Sequence, residues 1–153
     1  MSKTAQTIKA KTPTVTVRRA IEASAEELFD AWLDPEAIAQ WMRPNGVDST
    51  TAVVDARVGG GYEITMGLRS GPLLHRGVYQ EIDRPRRLVF TWSARGPLEP
   101  PSLVTVEFTR RGRLTEIVVT HEQLPGYGDV PAVNAGWSQA IERLAELFKE
   151  EGK

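Results

Sequence analysis

The sequence predicts an α+β domain, a curved antiparallel sheet of about seven strands wrapped around a long C-terminal helix, with two short helices after the first strand. Three observations predict it. Residues 28–44, LFDAWLDPEAIAQWMRP, hold a helix, a break at Asp34-Pro35, a second short helix and a Pro stop. From Asp48 onward the apolar period changes from helical to two, through residue 121. From Pro131 to Lys149 it turns helical again, with Val133, Trp137, Ile141, Leu144 and Phe148 on one stripe.

Each element has its own warrant. Residues 1–13 carry lysines and small polar residues, so they read as a tail ahead of one domain at 14–150. The β-branched run from Thr14 to Ile21 reads as the first strand. Ser24-Ala25-Glu26-Glu27 fits a capping box, followed by an apolar stripe of Leu28, Phe29, Trp32 and Leu33. Asp34 caps the next helix and Pro35 takes its first position, where a missing N–H costs nothing. Ile38, Trp41 and Met42 face inward from it, and Pro44-Asn45-Gly46 ends it.

Strands are expected at 48–56, 61–68, 74–82, 87–93, 102–110 and 113–121. Their punctuation is Gly59-Gly60-Gly61, Ser70-Gly71-Pro72, Asp83-Arg84-Pro85, Arg95-Gly96-Pro97 and Arg111-Gly112-Arg113. Connectors this short imply an antiparallel meander, because a parallel crossover needs about a dozen residues. Gly136, within the last helix, should cost about 1 kcal/mol relative to Ala and suggests close approach of the sheet. The sum is a helix-grip arrangement.

Composition removes several functions. The net charge is -1, which gives no global pull toward nucleic acid or an anionic membrane. With no cysteine there is no disulfide, thiolate chemistry or Cys-type zinc site. His75 and His121 are the only histidines and show no metal-ligand spacing, so neither metal nor cofactor is expected. The glycine triplet lacks the Lys-Ser/Thr of a phosphate loop, and no GxSxG elbow exists. Without a signal-like run or a membrane-length apolar window, a cytoplasmic protein is expected.

The motifs also resemble a known family. Ala31-Trp32-Leu33-Asp34-Pro35-Glu36, Trp41 and Pro44 are similar to the opening of the C-terminal-domain-like homologues of the heat-shock-protein-90 ATPase activator. Val58 to Tyr62 resembles that family's Gly-Gly turn, and Gly77 to Trp92 its central hairpin. Val104 to Phe108, Thr115, His121 and Gly136-Trp137 complete the pattern over residues 14–150. The resemblance implies a small bacterial member of the START-like, polyketide-cyclase-like (SRPBCC) helix-grip superfamily. Members hold hydrophobic small molecules between sheet and helix.

Sheet parity then suggests a lining. Tyr62, Ile64, Met66 and Leu68 share a face, as do Leu88, Phe90 and Trp92, then Val104, Val106 and Phe108, then Thr115, Ile117, Val119 and His121. For 74–82 both parities remain open: His75, Gly77, Tyr79 and Glu81 oppose Arg76, Val78, Gln80 and Ile82. The expected ligand-binding set is Trp41, Tyr62, Ile64, Met66, Tyr79, Phe90, Trp92, Val106, Phe108, His121 and Trp137, with His121 as polar anchor. The mouth is expected where the turns near 69–73, 94–101 and 122–130 meet Pro44-Asn45-Gly46. Arg57, Arg84, Arg86, Arg87, Arg110, Arg111 and Arg113 gather at the opposite end, as solvated hairpin tips or as a site for an anionic partner.

Three functions follow. The first is non-catalytic binding of a hydrophobic or aromatic small molecule. The second is a cofactor-free cyclase-type enzyme in which His121 works with Glu107 or Tyr79 as an acid/base pair. The third is a chaperone-linked interaction module whose partner is a protein or a second copy of the chain. The first is preferred.

Overall fold

The structure, a computed structural model, describes residues 13–94, 101–124 and 130–151. All but Pro13 of the expected tail, and the expected turn segments 95–100 and 125–129, lie outside the described residues.

Element order follows the expectation: β1 (Val15–Ile21), α1 (Ala25–Ala31), α2 (Pro35–Trp41), β2 (Val47–Val54), β3 (Gly61–Leu68), β4 (Gly71–Asp83), β5 (Arg87–Trp92), β6 (Ser102–Arg111), β7 (Leu114–Glu122) and α3 (Val130–Glu151). The capping box forms in full at Ser24 and Glu27, and Asp34 accepts from the Glu36 N–H with Pro35 behind it. One antiparallel sheet runs β1-β7-β6-β5-β4-β3-β2. It is a meander closed by β1, which returns antiparallel beside β7. The sheet curls as a half-barrel around α3, which is the helix-grip arrangement. Among the described residues, no helix is long and apolar enough to cross a membrane.

Strand β4 uses both parities that its sequence left open. His75 and Tyr79 are buried up to an irregularity between Tyr79 and Glu81; beyond it Ile82 packs on the core opposite Leu88. An extra residue shifts the alternation by one, so neither parity holds throughout. The strand also starts earlier than expected. Gly71 and Pro72 pair with Leu68 and Gly67, and only residues 69–70 make the turn. Among the described residues the β4–β5 pairing begins at the Arg76–Ser93 bridge, and none of them pairs with β4 on that side at Pro72, a position that tolerates proline.

Gly77 is needed for close approach. A Cβ there would collide with the Thr91 carbonyl and the Tyr62 ring, whose hydroxyl donates to that same carbonyl at 2.5 Å. Gly136 corrects the expectation made for it: a Cβ there meets nothing within 4 Å. Open space, not a pressing sheet, lies beside that turn of α3.

The core is continuous around Leu28, Phe29, Leu88, Val104, Val106, Ile117, Ile141 and Leu144. From α3 it takes Trp137, Ala140, Ile141 and Leu144, all buried. Several polar contacts hold the helix in place, one of them made by Trp137 to His121. Glu142 accepts from Arg19 at 2.6 Å, Gln139 accepts from the Asn45 N–H at 2.8 Å, and Arg143 donates to the Arg43 carbonyl at 2.5 Å.

The arginine-rich end is largely neutralised. Arg57 pairs with Asp55, Arg84 with Asp30, Arg86 with Asp83, Arg87 with Glu81 and Glu107, and Arg111 with Glu116. Exposed pairs of this kind contribute about 0–1 kcal/mol each, as solvated hairpin tips do.

Candidate ligand-binding site

The first half of α3 leaves a cavity where the second half fills the core. From the helix the small residues Ala132, Val133, Ala135 and Gly136 line it, with Gln139 one turn on. The space is about 410 Å³, within the usual range for small-molecule pockets. Met66, Leu68, Leu73 and His75 bound it from β3 and β4, and Met42, Pro44, Asn45 and Val47 from the α2–β2 connection. Trp92, His121 and Trp137 close its inner end. Asn45 and Leu73 are exposed, so the opening lies at the end of the sheet expected for the mouth. Among the described residues, no charged side chain lines the space.

Of the expected set, Met66, Trp92, His121 and Trp137 come together at this cavity. Trp41, Tyr62, Ile64, Tyr79 and Phe90 instead surround a second space, also bordered by Trp92, of only about 10 Å³. That is scarcely one water. Val106 and Phe108 are packed in the core away from both. A layer of indoles separates the two spaces: Trp32 stacks on Trp137 at 5.9 Å, and Trp92 meets Trp137 at 5.2 Å. Rings that look like walls in the sequence are mostly packed against one another.

Parity alone could not find the connector residues Met42 to Val47 or the small residues of α3. A signal did exist. Ala132, Ala135 and Gly136 are three small residues within five positions of the helix, on the flank beside the Val133, Trp137, Ile141, Leu144 and Phe148 stripe, so the first turns lack volume there.

His121 is held at both ring nitrogens. The Trp137 indole N–H can only donate, so His121 Nδ1, 3.0 Å away, must accept. The proton therefore sits on Nε2, which donates to Ser102 Oγ at 2.6 Å. Ser102 in turn donates to the Trp92 carbonyl at 3.0 Å. Burial, and secondarily the nearby His75, lowers the His121 pKa to about 4, which keeps the ring neutral. Both ring nitrogens of His121 and the Ser102 hydroxyl proton are thus used within the protein.

That arrangement leaves little for acid/base chemistry. Glu107, a suggested partner, lies on the outer face and accepts from Arg87 at 3.1 Å, with the opposite parity to Val104, which pairs with His121. Tyr79, the other, is buried, and desolvation raises its pKa far above the ordinary phenol value. Tyr62 is raised likewise, by desolvation and then by Tyr79.

His75 is the contrast. Its ring is buried and lies 4.6 Å from that of Trp92, yet its Nδ1 has no hydrogen-bond partner. Desolvation lowers its pKa to about 4. Among the described residues, no group of three or more His, Asp or Glu side chains is placed to hold a metal ion.

The Ser102 link is testable. Ser102→Ala should leave the His121 Nε2–H and the Trp92 carbonyl without their buried partner, and cost about 1–3 kcal/mol of stability. Urea denaturation at pH 7 reads this; an unshifted midpoint contradicts the network.

Comparison with known proteins fits this geometry. A family model described as activator of Hsp90 ATPase homolog 1-like protein matches residues 22–149. A protein of Chromobacterium violaceum is similar at 25% identity and a TM-score of 0.79, over 88% of this chain and 95% of its own. DynU16, a protein in the dynemicin biosynthetic locus, is similar at 25% identity and a TM-score of 0.73, over 92% of this chain and 48% of its own. CalU16 from Micromonospora echinospora shares the fold, at 23% identity and a TM-score of 0.66 over 87% of this chain and 74% of its own. No curated protein matches the sequence.

Proposed function

Because the chain belongs to the activator of Hsp90 ATPase homolog 1-like family, in its helix-grip form, we propose that it binds an uncharged, largely aromatic small molecule between the sheet and the first half of α3, without transforming it. One observation carries this reading: a cavity of about 410 Å³, walled mainly by indoles, methionines and aliphatic side chains, with no charged side chain among the described residues. Apolar walls with a few fixed polar groups are the common form of a small-molecule site. An ionised ligand would lose its hydration there without finding a countercharge.

The saturated hydrogen bonding of His121 supports binding over catalysis. A general base needs a free lone pair within reach of the substrate, and His121 Nδ1 already accepts from Trp137. A relative encoded in a biosynthetic locus suits a chain that handles a small molecule.

The test is a titration with N-phenyl-1-naphthylamine, an uncharged probe whose emission rises in apolar surroundings. We expect saturable one-to-one binding in the micromolar range, about -8 kcal/mol, with quenching of indole emission from Trp92 and Trp137. An absence of saturable binding contradicts the proposal.

A further inference from the structure

We propose that His75 is the cavity's recognition group, and that the ligand carries a hydrogen-bond acceptor oxygen, as in an aromatic ketone, aldehyde or quinone, placed to receive its N–H. This rests on the cavity being a binding site and adds what that site selects.

The argument begins with an imbalance. The cavity holds two histidines. His121 is only 2% exposed and saturated on both nitrogens. His75 is 7% exposed, and its Nδ1 is sealed from solvent with no partner. A buried nitrogen without a partner decides which tautomer the ring adopts, and with it which nitrogen is left to meet a ligand.

The tautomer follows from the same fact. A buried N–H without an acceptor is rarer and costlier than an unfilled acceptor. Nδ1 therefore stays bare and the proton occupies Nε2. That nitrogen makes no hydrogen bond among the described residues and is not sealed as Nδ1 is. His75 thus presents a donor to the cavity, not a base.

Its position is defined. His75 pairs with Ile64 across β3 and lies beside Trp92, which limits ring rotation. Directed polar groups in an otherwise apolar pocket fix orientation and discriminate among ligands of one shape. Since no charged side chain among the described residues lines the cavity, the complement is a neutral acceptor and not a carboxylate. Nearby, Trp92 and Trp137 supply aromatic surface for the body of such a ligand.

A pair of near-isosteric probes isolates the hydrogen bond: 2-acetylnaphthalene, with a carbonyl oxygen, and 2-isopropenylnaphthalene, with a methylene in its place. Both compete against N-phenyl-1-naphthylamine on the wild-type chain and on His75→Phe, which keeps a ring and removes the N–H. Wild type should prefer the ketone by about tenfold, and His75→Phe should abolish the preference by weakening the ketone alone. The carbonyl stretch of 2-acetylnaphthalene bound to wild type should also lie at lower wavenumber than in hexane, a readout that needs no variant. Equal affinity of wild type for both probes, or an unshifted stretch, overturns this inference while leaving the cavity as a binding site. Failure of wild type to bind any of the three compounds overturns both.

Discussion

Lowering the pH from 7 to 5 is expected to remove about 2 kcal/mol of stability for each of the two histidines, and about 3 kcal/mol for each by pH 4. Both rings have their pKa lowered from 6.5 to about 4, first by burial and, for His121, also by His75. A group whose pKa is depressed on folding is held in its uncharged form. Its contribution is complete above the unfolded value of 6.5 and is lost as the pH falls toward 4, because the unfolded chain then binds protons that the folded chain refuses. Small domains are stable by about 5–15 kcal/mol, so a combined loss of this size brings acid unfolding close to pH 4.

The window between pH 7 and 5 belongs to histidine, since ordinary carboxylates titrate near 4 and the chain has no cysteine. With only two histidines, the assignment is clean. Urea denaturation at pH 7, 6 and 5 gives the slope, and His75→Phe should remove about half of it. Stability that stays level across this range contradicts the burial of the two rings.

Gly136→Phe should lower affinity for N-phenyl-1-naphthylamine by about a hundredfold while the fold remains intact. A Cβ at this position meets nothing within 4 Å, and the residue lines the cavity from the helix side. A benzyl group there projects into the space the probe needs. Glycine is a poor helix former, so substitution also relieves a local penalty. Gly136→Ala separates the effects. It should raise stability by about 1 kcal/mol, or roughly 2–4 °C in Tm, while binding is retained. If the phenylalanine variant binds as wild type does, the ligand does not occupy this space.

Much of the fold was legible because each element carries a local signal. Ser24 and Glu27 announce one helix, Asp34-Pro35 the next, and period-two runs separated by glycine and proline trace the meander. Strand β4 resisted because one irregularity after Tyr79 makes both readings true in turn. The cavity was less legible, for a physical reason. Aromatic residues mark apolar environments without telling whether neighbouring rings fill them. Here Tyr62, Tyr79 and Phe90 lie within 5.5–6.2 Å of one another and leave almost no room. Space appears where side chains are missing, at Ala132, Ala135 and Gly136, and an absence of volume is read only after the opposing wall is known. His75 stayed ambiguous for the same reason as its strand, while His121 drew notice although its hydrogen bonds are already satisfied.

The most direct test of a cavity under the first half of α3 is methyl NMR of the labelled protein during titration with N-phenyl-1-naphthylamine. Signals from Met42, Met66, Val47, Leu73 and Val133, which surround the space, should shift and saturate together. Those of Leu88, Val104 and Val106, in the packed core, should stay in place. Shifts confined to Val53 and Val78, which are exposed to solvent, would contradict the account.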